Sequence, residues 1–230
     1  MDPWLIALFV LASVGGTALI AFAISRGAAH RKAQAEMAKA NGWRYDHLAS
    51  GGVSETIISD PEEGWRLTIH SYSGGSGSSS GSTGSSVRWT MFEDPSLRIQ
   101  GMAVLGPDIP EKTAAMADKF MGMMSGDLGR WFLDKITGGL GEEAANLRSV
   151  ADDRPGHLMA TPDAEQTLDD IRLAPELHNA RAGKNEAQQP IVMRGPFGLR
   201  VRVQKRLSKP KEIEDFVRLG RALSDNLRTG

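Results

Sequence analysis

A run of 21 residues without a charged side chain, Trp4 to Ile24, constrains this chain more than any other feature of its sequence. At about 1.5 Å per residue, a helix of that length spans about 30 Å, the thickness of the hydrocarbon core of a bilayer. A buried core helix is usually shorter or has a polar stripe. A cleavable signal peptide has a basic start, whereas Asp2 is the only charged residue before this run. The run therefore predicts one transmembrane helix over residues 1–25, with Trp4 as an interfacial anchor.

The basic residues beside this run predict its orientation. Arg26, Arg31 and Lys32 follow it, and no Lys or Arg precedes it. By the positive-inside rule, the N-terminus lies outside and the bulk of the chain lies in the cytoplasm, so we expect a single-pass protein of the bacterial inner (cytoplasmic) membrane. Residues 26–42 are rich in Ala, Lys, Gln and Glu and predict a basic juxtamembrane helix near anionic lipid headgroups. Small residues at every fourth position of the run allow pairing with a second copy or another membrane protein, although unpaired helices have them too.

Residues 43–230 predict one cytoplasmic α+β domain of antiparallel strands and packed amphipathic helices. Alternating or apolar runs predict strands at residues 43–45, 53–59, 65–72, 87–92, 97–105, 157–161, 190–194 and 199–203. Helical periodicity predicts amphipathic helices at residues 111–125, 127–136, 162–173 and 210–227. Residues 73–86 are all Gly, Ser or Thr, and they predict a flexible loop between two strands.

The order of motifs in this domain carries a resemblance. A strand is followed by a helix led by Asp163, by Leu173-Ala174-Pro175-Glu176-Leu177, and then by Ile191-Val192 and Gly198-Leu199-Arg200-Val201. The domain starts with Gly42-Trp43-x-Tyr45 after a basic helix. Over residues 33–206 this order resembles a bacterial family of membrane-anchored domains of unknown function. The resemblance implies no activity and no catalytic residues.

No recognisable catalytic or metal-binding pattern is present in the sequence. The absence of cysteine excludes a disulfide framework, a zinc–thiolate site and a cysteine nucleophile. The five histidines lack the i+3 or i+4 partner that is typical of a helical metal site. Residues 77–81 match the letters of the G-x-S-x-G nucleophile elbow, but they lack its strand–turn–helix context. We therefore predict no catalytic residue, cofactor or metal site, which favours a non-enzymatic protein and leaves the question open.

Charge is distributed unevenly along a chain whose formal net charge is only −1. Residues 26–44 contain five basic and one acidic residue, residues 45–180 contain 10 and 21, and residues 181–230 contain 12 and five. A basic stretch in the last part comprises Arg194, Arg200, Arg202, Lys205, Arg206, Lys209 and Lys211. It predicts a surface facing anionic lipid or an acidic partner, unless it balances the acidic middle of the same domain. Nucleic acid is not favoured, because the chain as a whole is not basic and the stretch lacks interleaved aromatic residues other than Phe197.

These features lead to one main functional hypothesis and two alternatives. The main hypothesis is a membrane-tethered, non-enzymatic interaction module, such as an accessory subunit of a membrane complex. One alternative is a membrane-associated hydrolase or transferase whose site is assembled in three dimensions from scattered His, Asp and Ser residues. The other is a sensor of anionic lipid surfaces, acting through the basic stretch. The expected partners are the bilayer, anionic headgroups, and a membrane protein or a second copy of the chain.

Overall fold

One antiparallel sheet forms the framework of the described chain. The computed structural model describes residue 4 and residues 25–73, 86–107, 146–150, 156–185 and 188–229. The strands are β1 (Arg44–Ser50), β2 (Val53–Ser59), β3 (Arg66–Ser73), β4 (Ser86–Asp94), β5 (Ala103–Leu105), β6 (Arg148–Val150), β7 (Leu158–Ala160), β8 (Ile191–Gly195) and β9 (Gly198–Val203). The helices are α1 (residues 25–40), α2 (Asp169–Arg172), α3 (Pro175–Arg181) and α4 (Pro210–Thr229). In this part of the chain the nine strands follow the order β1-β2-β3-β4-β9-β8-β5-β7-β6, with every neighbouring pair antiparallel.

The predicted fold class, an α+β domain behind an N-terminal transmembrane helix, is wrong. The fold is a single nine-stranded antiparallel sheet with helices, and none of the helices in the described residues is long and apolar enough to cross a membrane. The two longest described helices, α1 and α4, have one buried side and one charged side, which is the pattern of helices that pack on a sheet. Trp4 is 75% exposed, and the rest of the uncharged run lies outside the described residues.

Helix α1 packs on the sheet rather than standing apart from it. Met37 and Ala38, near its C-terminal end, are buried in the main hydrophobic core. The helix ends at Asn41-Gly42, where Gly42 has a φ of +75°. The side-chain amide of Asn41 donates to the carbonyl oxygen of Met37 at 2.9 Å, which also accepts from the backbone N–H of Asn41 at 3.1 Å. The segment predicted as a juxtamembrane helix therefore contributes directly to the core of the domain.

The turns of the first four strands follow from their sequences. Gly51 and Gly52 connect β1 to β2 with φ angles of +56° and +83°, as a two-residue type I′ hairpin requires. Between β2 and β3, the carboxylate of Asp60 accepts hydrogen bonds from the backbone N–H groups of Glu62 and Glu63 at 2.8 and 3.1 Å. These local bonds hold the turn that the sequence Asp-Pro-Glu-Glu-Gly predicts.

The two faces of the sheet are packed differently. Trp65, Leu67 and Ile69 alternate along β3, as predicted, and face a large core that includes residues of all four described helices. On the opposite face, the strands β5, β7 and β8 carry a second apolar cluster of Met102, Val104, Leu147, Met159, Ile191 and Met193. Most of the helical cover of the described fold is thus on one side, which leaves the other side of β1–β4 to be considered as a functional surface.

Several predicted elements differ from the structure or lie outside it. The strand predicted over residues 97–105 is wrong in its first part, because Asp94 caps a 3₁₀ turn at Pro95–Leu97 and only Ala103–Leu105 pairs as a strand. The carboxylate of Asp94 accepts from the backbone N–H of Ser96 at 3.0 Å, which competes with strand geometry there. The helices predicted at 111–125 and 127–136 lie outside the described residues, as does the Gly/Ser/Thr tract apart from its two end residues.

Candidate functional site

Exposed apolar side chains concentrate on the side of β1–β4 that is turned away from the helices, named here the open face. Five large hydrophobic side chains of the described residues are exposed, and three of them, Leu48, Tyr72 and Val87, lie on this face. Leu48 is 64% exposed, and Tyr72 and Val87 are each 40% exposed. Tyr72 and Val87 are direct cross-strand partners, so their side chains lie next to each other on the same face of the sheet. The open face therefore exposes three large apolar side chains to solvent.

A stack of two rings lies next to these residues on the open face. The imidazole of His70 is nearly parallel to the indole of Trp89, with ring centroids 5.0 Å apart and an interplanar angle of 15°. The guanidinium carbon of Arg202 lies 5.4 Å from the centroid of the Trp89 ring, within the range of a cation–π interaction. Arg202 is only 4% exposed. This predicted lipid- or partner-facing residue thus lies under the surface and supports the ring of Trp89.

A carboxylate between two arginines forms the next row of the open face. Glu93, which is 6% exposed, accepts hydrogen bonds from Arg66 at 2.6 Å and from Arg200 at 2.8 Å. The cross-strand register places all three residues side by side on β3, β4 and β9. The guanidinium of Arg200 also lies 4.2 Å from the centroid of the Phe197 ring. Arg200 therefore pairs with an acid from the acidic middle of the chain, as the intramolecular explanation of the basic stretch expects.

Arg194 lies on the other face of the sheet, among the helices. Its guanidinium donates to the carbonyl oxygens of Leu97 at 3.3 Å and Thr167 at 3.0 Å. Burial lowers the pKa of Arg194, and the charge of Asp170 opposes this shift. Arg194 thus joins a loop to the turn before α2, which is a structural role.

The other predicted basic residues are exposed. Lys205 donates to Glu212 at 3.0 Å, whereas Arg206, Lys209 and Lys211 project from the loop after β9 and the start of α4. On α1, Arg26, Arg31 and Lys32 are exposed, and Lys32 is 3.9 Å from Glu36. The structure therefore divides the seven residues of the basic stretch, with Arg194, Arg200 and Arg202 in internal contacts and the other four at the surface.

Two basic residues from separate segments act electrostatically on residues of the edge strand β1. Arg31 on α1 and Arg206 after β9 both act electrostatically on Tyr45 and His47 of β1. Burial raises the pKa of Tyr45, while Thr56, Arg31 and Arg206 oppose this shift. Burial lowers the pKa of His47, and the charges of Arg31 and Arg206 lower it further. Burial and the two positive charges therefore both favour the neutral form of the His47 imidazole.

Chemistry of the catalytic or metal-binding kind has little support in the described residues. No group of three or more His, Asp or Glu side chains among them could hold a metal ion. A groove of about 650 Å³ between α3 and α4 is lined by apolar residues such as Val203 and Phe216 together with charged ones, including Asp215, and its described lining contains no His or Ser. His70 stacks on Trp89, while His47 is bonded to Thr56. The residues 77–81 lie outside the described part of the chain.

Sequence reasoning missed the open face because it depends on strand pairing. Trp89, Glu93 and Arg202 lie on β4 and β9, which are neighbours in the sheet although more than 100 residues separate them in the chain. The alternation of each strand shows which residues share a face, but it does not show which strands are adjacent. The chain matches no protein-family model, no curated protein and no solved structure.

Proposed function

We propose that this protein is a non-enzymatic interaction module that binds another protein through the open face. The observation that carries the proposal is the concentration of exposed Leu48, Tyr72 and Val87 on one side of the sheet. Contiguous apolar surface in contact with solvent is characteristic of binding surfaces, whereas single exposed apolar residues are ordinary.

The residues around this apolar patch support the same proposal. Trp, Tyr and Arg are the side chains that most often dominate the energy of protein–protein binding. The open face presents Trp89 and Tyr72, and the guanidinium of the buried Arg202 lies 5.4 Å from the centroid of the Trp89 ring. The rim includes the charged residues Arg44 and Asp46, both exposed. Glu55 lies on the same face between Leu48 and His70, so the surface mixes apolar and charged side chains, as non-obligate interfaces do.

The rigidity of the open face favours binding as well. Its rings and arginines are held by cross-strand contacts, including the Arg66–Glu93–Arg200 row with bonds of 2.6 and 2.8 Å. Ordering flexible side chains opposes association, so a surface that is already ordered loses less free energy on binding. The open face would therefore bind a partner largely in the conformation that it has in the free protein.

The test is site-specific photo-crosslinking in cells, with a photoreactive residue at position 48, 72 or 173. Leu173 is the control, because it is 68% exposed but lies next to α2, away from the open face. We expect one protein to crosslink at positions 48 and 72 and not at 173. The double variant Leu48→Asp/Tyr72→Asp should abolish copurification of the crosslinked protein, and Leu173→Asp should preserve it. Equal capture from all three positions, or a partner retained by the double variant, would contradict the proposal.

A further inference from the structure

The described sheet ends differently at its two edges. At one end lies β6, which has three residues. At the other end lies β1, which has seven residues and pairs with β2 along its whole length without a bulge. Proteins usually protect an edge strand by a short length, a proline, a lysine or a bulge, because its free backbone groups can pair with another chain. The edge strand β6 is short, whereas β1 has none of these protections, so its edge can accept a tenth strand.

The register of the neighbouring strands shows which backbone groups of β1 point outward. The backbone N–H of Asp60 donates to the carbonyl oxygen of Trp65 at 3.2 Å, so these residues form a hydrogen-bonded pair where β2 turns into β3. Such pairs alternate along an antiparallel ladder, so residues 54, 56 and 58 of β2 bond to β3, and residues 53, 55, 57 and 59 bond to β1. Their partners on β1 are Arg44, Asp46, Leu48 and Ser50. The backbone groups of the residues between them, Tyr45, His47 and Ala49, therefore point away from the sheet.

These outward N–H and C=O groups have no partner in the part of the chain that the structure describes. There β1 has β2 as its single neighbouring strand, and no backbone hydrogen bond outside the sheet involves Tyr45, His47 or Ala49. A strand that pairs with them would bring its alternate side chains next to Arg44, Asp46 and Leu48 on the open face. Those positions would be non-hydrogen-bonded pairs, in which opposite side chains are closest.

The open-face side chains of β1 specify the chemistry of the added strand. Arg44, Asp46 and Leu48 are all exposed, and Leu48 is 64% exposed. Neither Arg44 nor Asp46 forms an ion pair within the described residues. Opposite charges and apolar pairs stabilise directly opposed positions of a sheet, while like charges destabilise them. The matching strand therefore has an acidic residue opposite Arg44, a basic one opposite Asp46 and an apolar one opposite Leu48.

We propose that β1 binds an extended segment of the partner protein as a tenth strand, with the pattern apolar-x-basic-x-acidic. The order follows from antiparallel pairing, which every neighbouring pair of the described sheet uses. In such strand addition, backbone hydrogen bonds give affinity and alternate side chains give specificity. The proposal rests on the proposed function, since Leu48 belongs to both surfaces. The added strand extends the row that runs from Leu48 across Glu55 and His70 to Trp89.

The first experiment measures binding of the fluorescent peptide Thr-Val-Thr-Lys-Thr-Glu-Thr to the full chain by fluorescence anisotropy. Threonine fills the other positions because it favours strands. Exchanging Lys and Glu keeps the composition but sets like charges opposite Arg44 and Asp46, and should weaken binding about tenfold. The double variant Arg44→Asp/Asp46→Arg should reverse this preference. Equal binding of the two peptides, or a preference that the double variant leaves unchanged, would overturn the proposal.

The second experiment tests the backbone pairing with the unaltered protein, so folding of a variant is not in question. The N–H of the middle threonine of the peptide, opposite His47, would donate to β1, and its N-methylation should abolish binding. The matched control is N-methylation of the lysine, opposite Asp46, because that N–H would point away from β1. The control peptide should still bind. Equal loss of binding by both methylated peptides would contradict strand pairing.

These results can be distinguished from failure of the proposed function. If the peptide does not bind but positions 48 and 72 still capture a protein, strand addition is wrong and the open face remains the binding surface. If the peptide binds but position 72 captures nothing, strand addition is supported and binding through the open face is contradicted. Crosslinking of position 48 to a second copy of the chain would assign the β1 edge to self-association and overturn the partner segment.

Discussion

Replacing Gly220 by Ala should destabilise this protein, although the same change inside a helix normally stabilises it. Gly220 lies in the middle of α4, and its Cα faces the ring of Phe92 on β4. A Cβ atom at this position would penetrate the ring, since even the third-nearest ring atom, Cδ2, would be 2.7 Å away. The ring itself has little room to move, because Phe92 is 0% exposed and stacks on Trp65 at a centroid distance of 5.6 Å. Helix and sheet approach this closely only because residue 220 has no side chain.

The magnitude follows from two opposing contributions. Ala is better than Gly in a helix interior by about 1 kcal/mol. An extra methyl group in a well-packed core costs about 1–3 kcal/mol, and the upper value applies here because both the ring and α4 are held by the surrounding core. The expected net loss is therefore about 2 kcal/mol in the free energy of unfolding. For a chain of this size, that corresponds to a decrease in Tm of about 4–8 °C.

Urea unfolding, followed by tryptophan fluorescence, measures this loss. Gly27→Ala in α1 is the matched control, because its new Cβ would have the Arg31 guanidinium as its nearest neighbour, at 3.6 Å. We expect that control to gain stability by up to about 1 kcal/mol. Phe92→Leu provides the second check, since a smaller side chain makes room for the methyl group and the two substitutions should couple favourably by about 1 kcal/mol or more. A Gly220→Ala variant as stable as the wild type would refute the reasoning. So would a double variant Gly220→Ala/Phe92→Leu whose loss of stability equals the sum of the two single losses.

Three further predictions concern polar contacts that hold the sheet to its surroundings. Arg228→Gln should lower the free energy of unfolding by about 1–2 kcal/mol in urea titrations. The carboxylate of Asp94, which is 2% exposed, loses its cationic partner at 2.6 Å, and the partial exposure of Arg228 limits the cost. Thr90→Val should cost about 2–3 kcal/mol without changing the urea m-value, because the buried hydroxyl bonds two backbone groups at 2.8 and 3.1 Å that valine cannot bond. Burial raises the pKa of Glu212, but the hydrogen bond and charge of Lys205, with backbone N–H groups, outweigh it and lower the pKa below the ordinary 4.5. The stability that Glu212 adds relative to Glu212→Gln is therefore present above pH 4.5 and should disappear in urea titrations as the pH falls through the lowered pKa.

Local patterns in the sequence predicted the elements that depend on neighbouring residues. The alternation of β3 is confirmed, and so is the strand pair β8–β9, whose register closes at Gly195 and Gly198. The amphipathic helix predicted from Pro210 to Leu227 is α4, which ends two residues later, at Thr229. Each of these patterns shows which side of a strand or helix is buried, and it can be read from the residues of that one strand or helix.

Pairing between distant elements was not predictable in the same way. Strand β4 lies beside β9, and β5 lies between β8 and β7, so the centre of the sheet joins segments from both ends of the domain. The fold class was wrong because it was derived from the uncharged run, whose length argues for a membrane span without reference to any neighbour. The described residues instead show a sheet with amphipathic helices packed against it.

The basic stretch shows why charge counted along a sequence does not describe a surface. Arg200 and Arg202 point to the same face of β9 because strand residues alternate, and the neighbouring strand β4 offers them Glu93 and Trp89. Past the end of β9 the alternation ends, and Arg206 is exposed. The same residue type thus makes internal contacts at 200 and 202 and lies at the surface at 206.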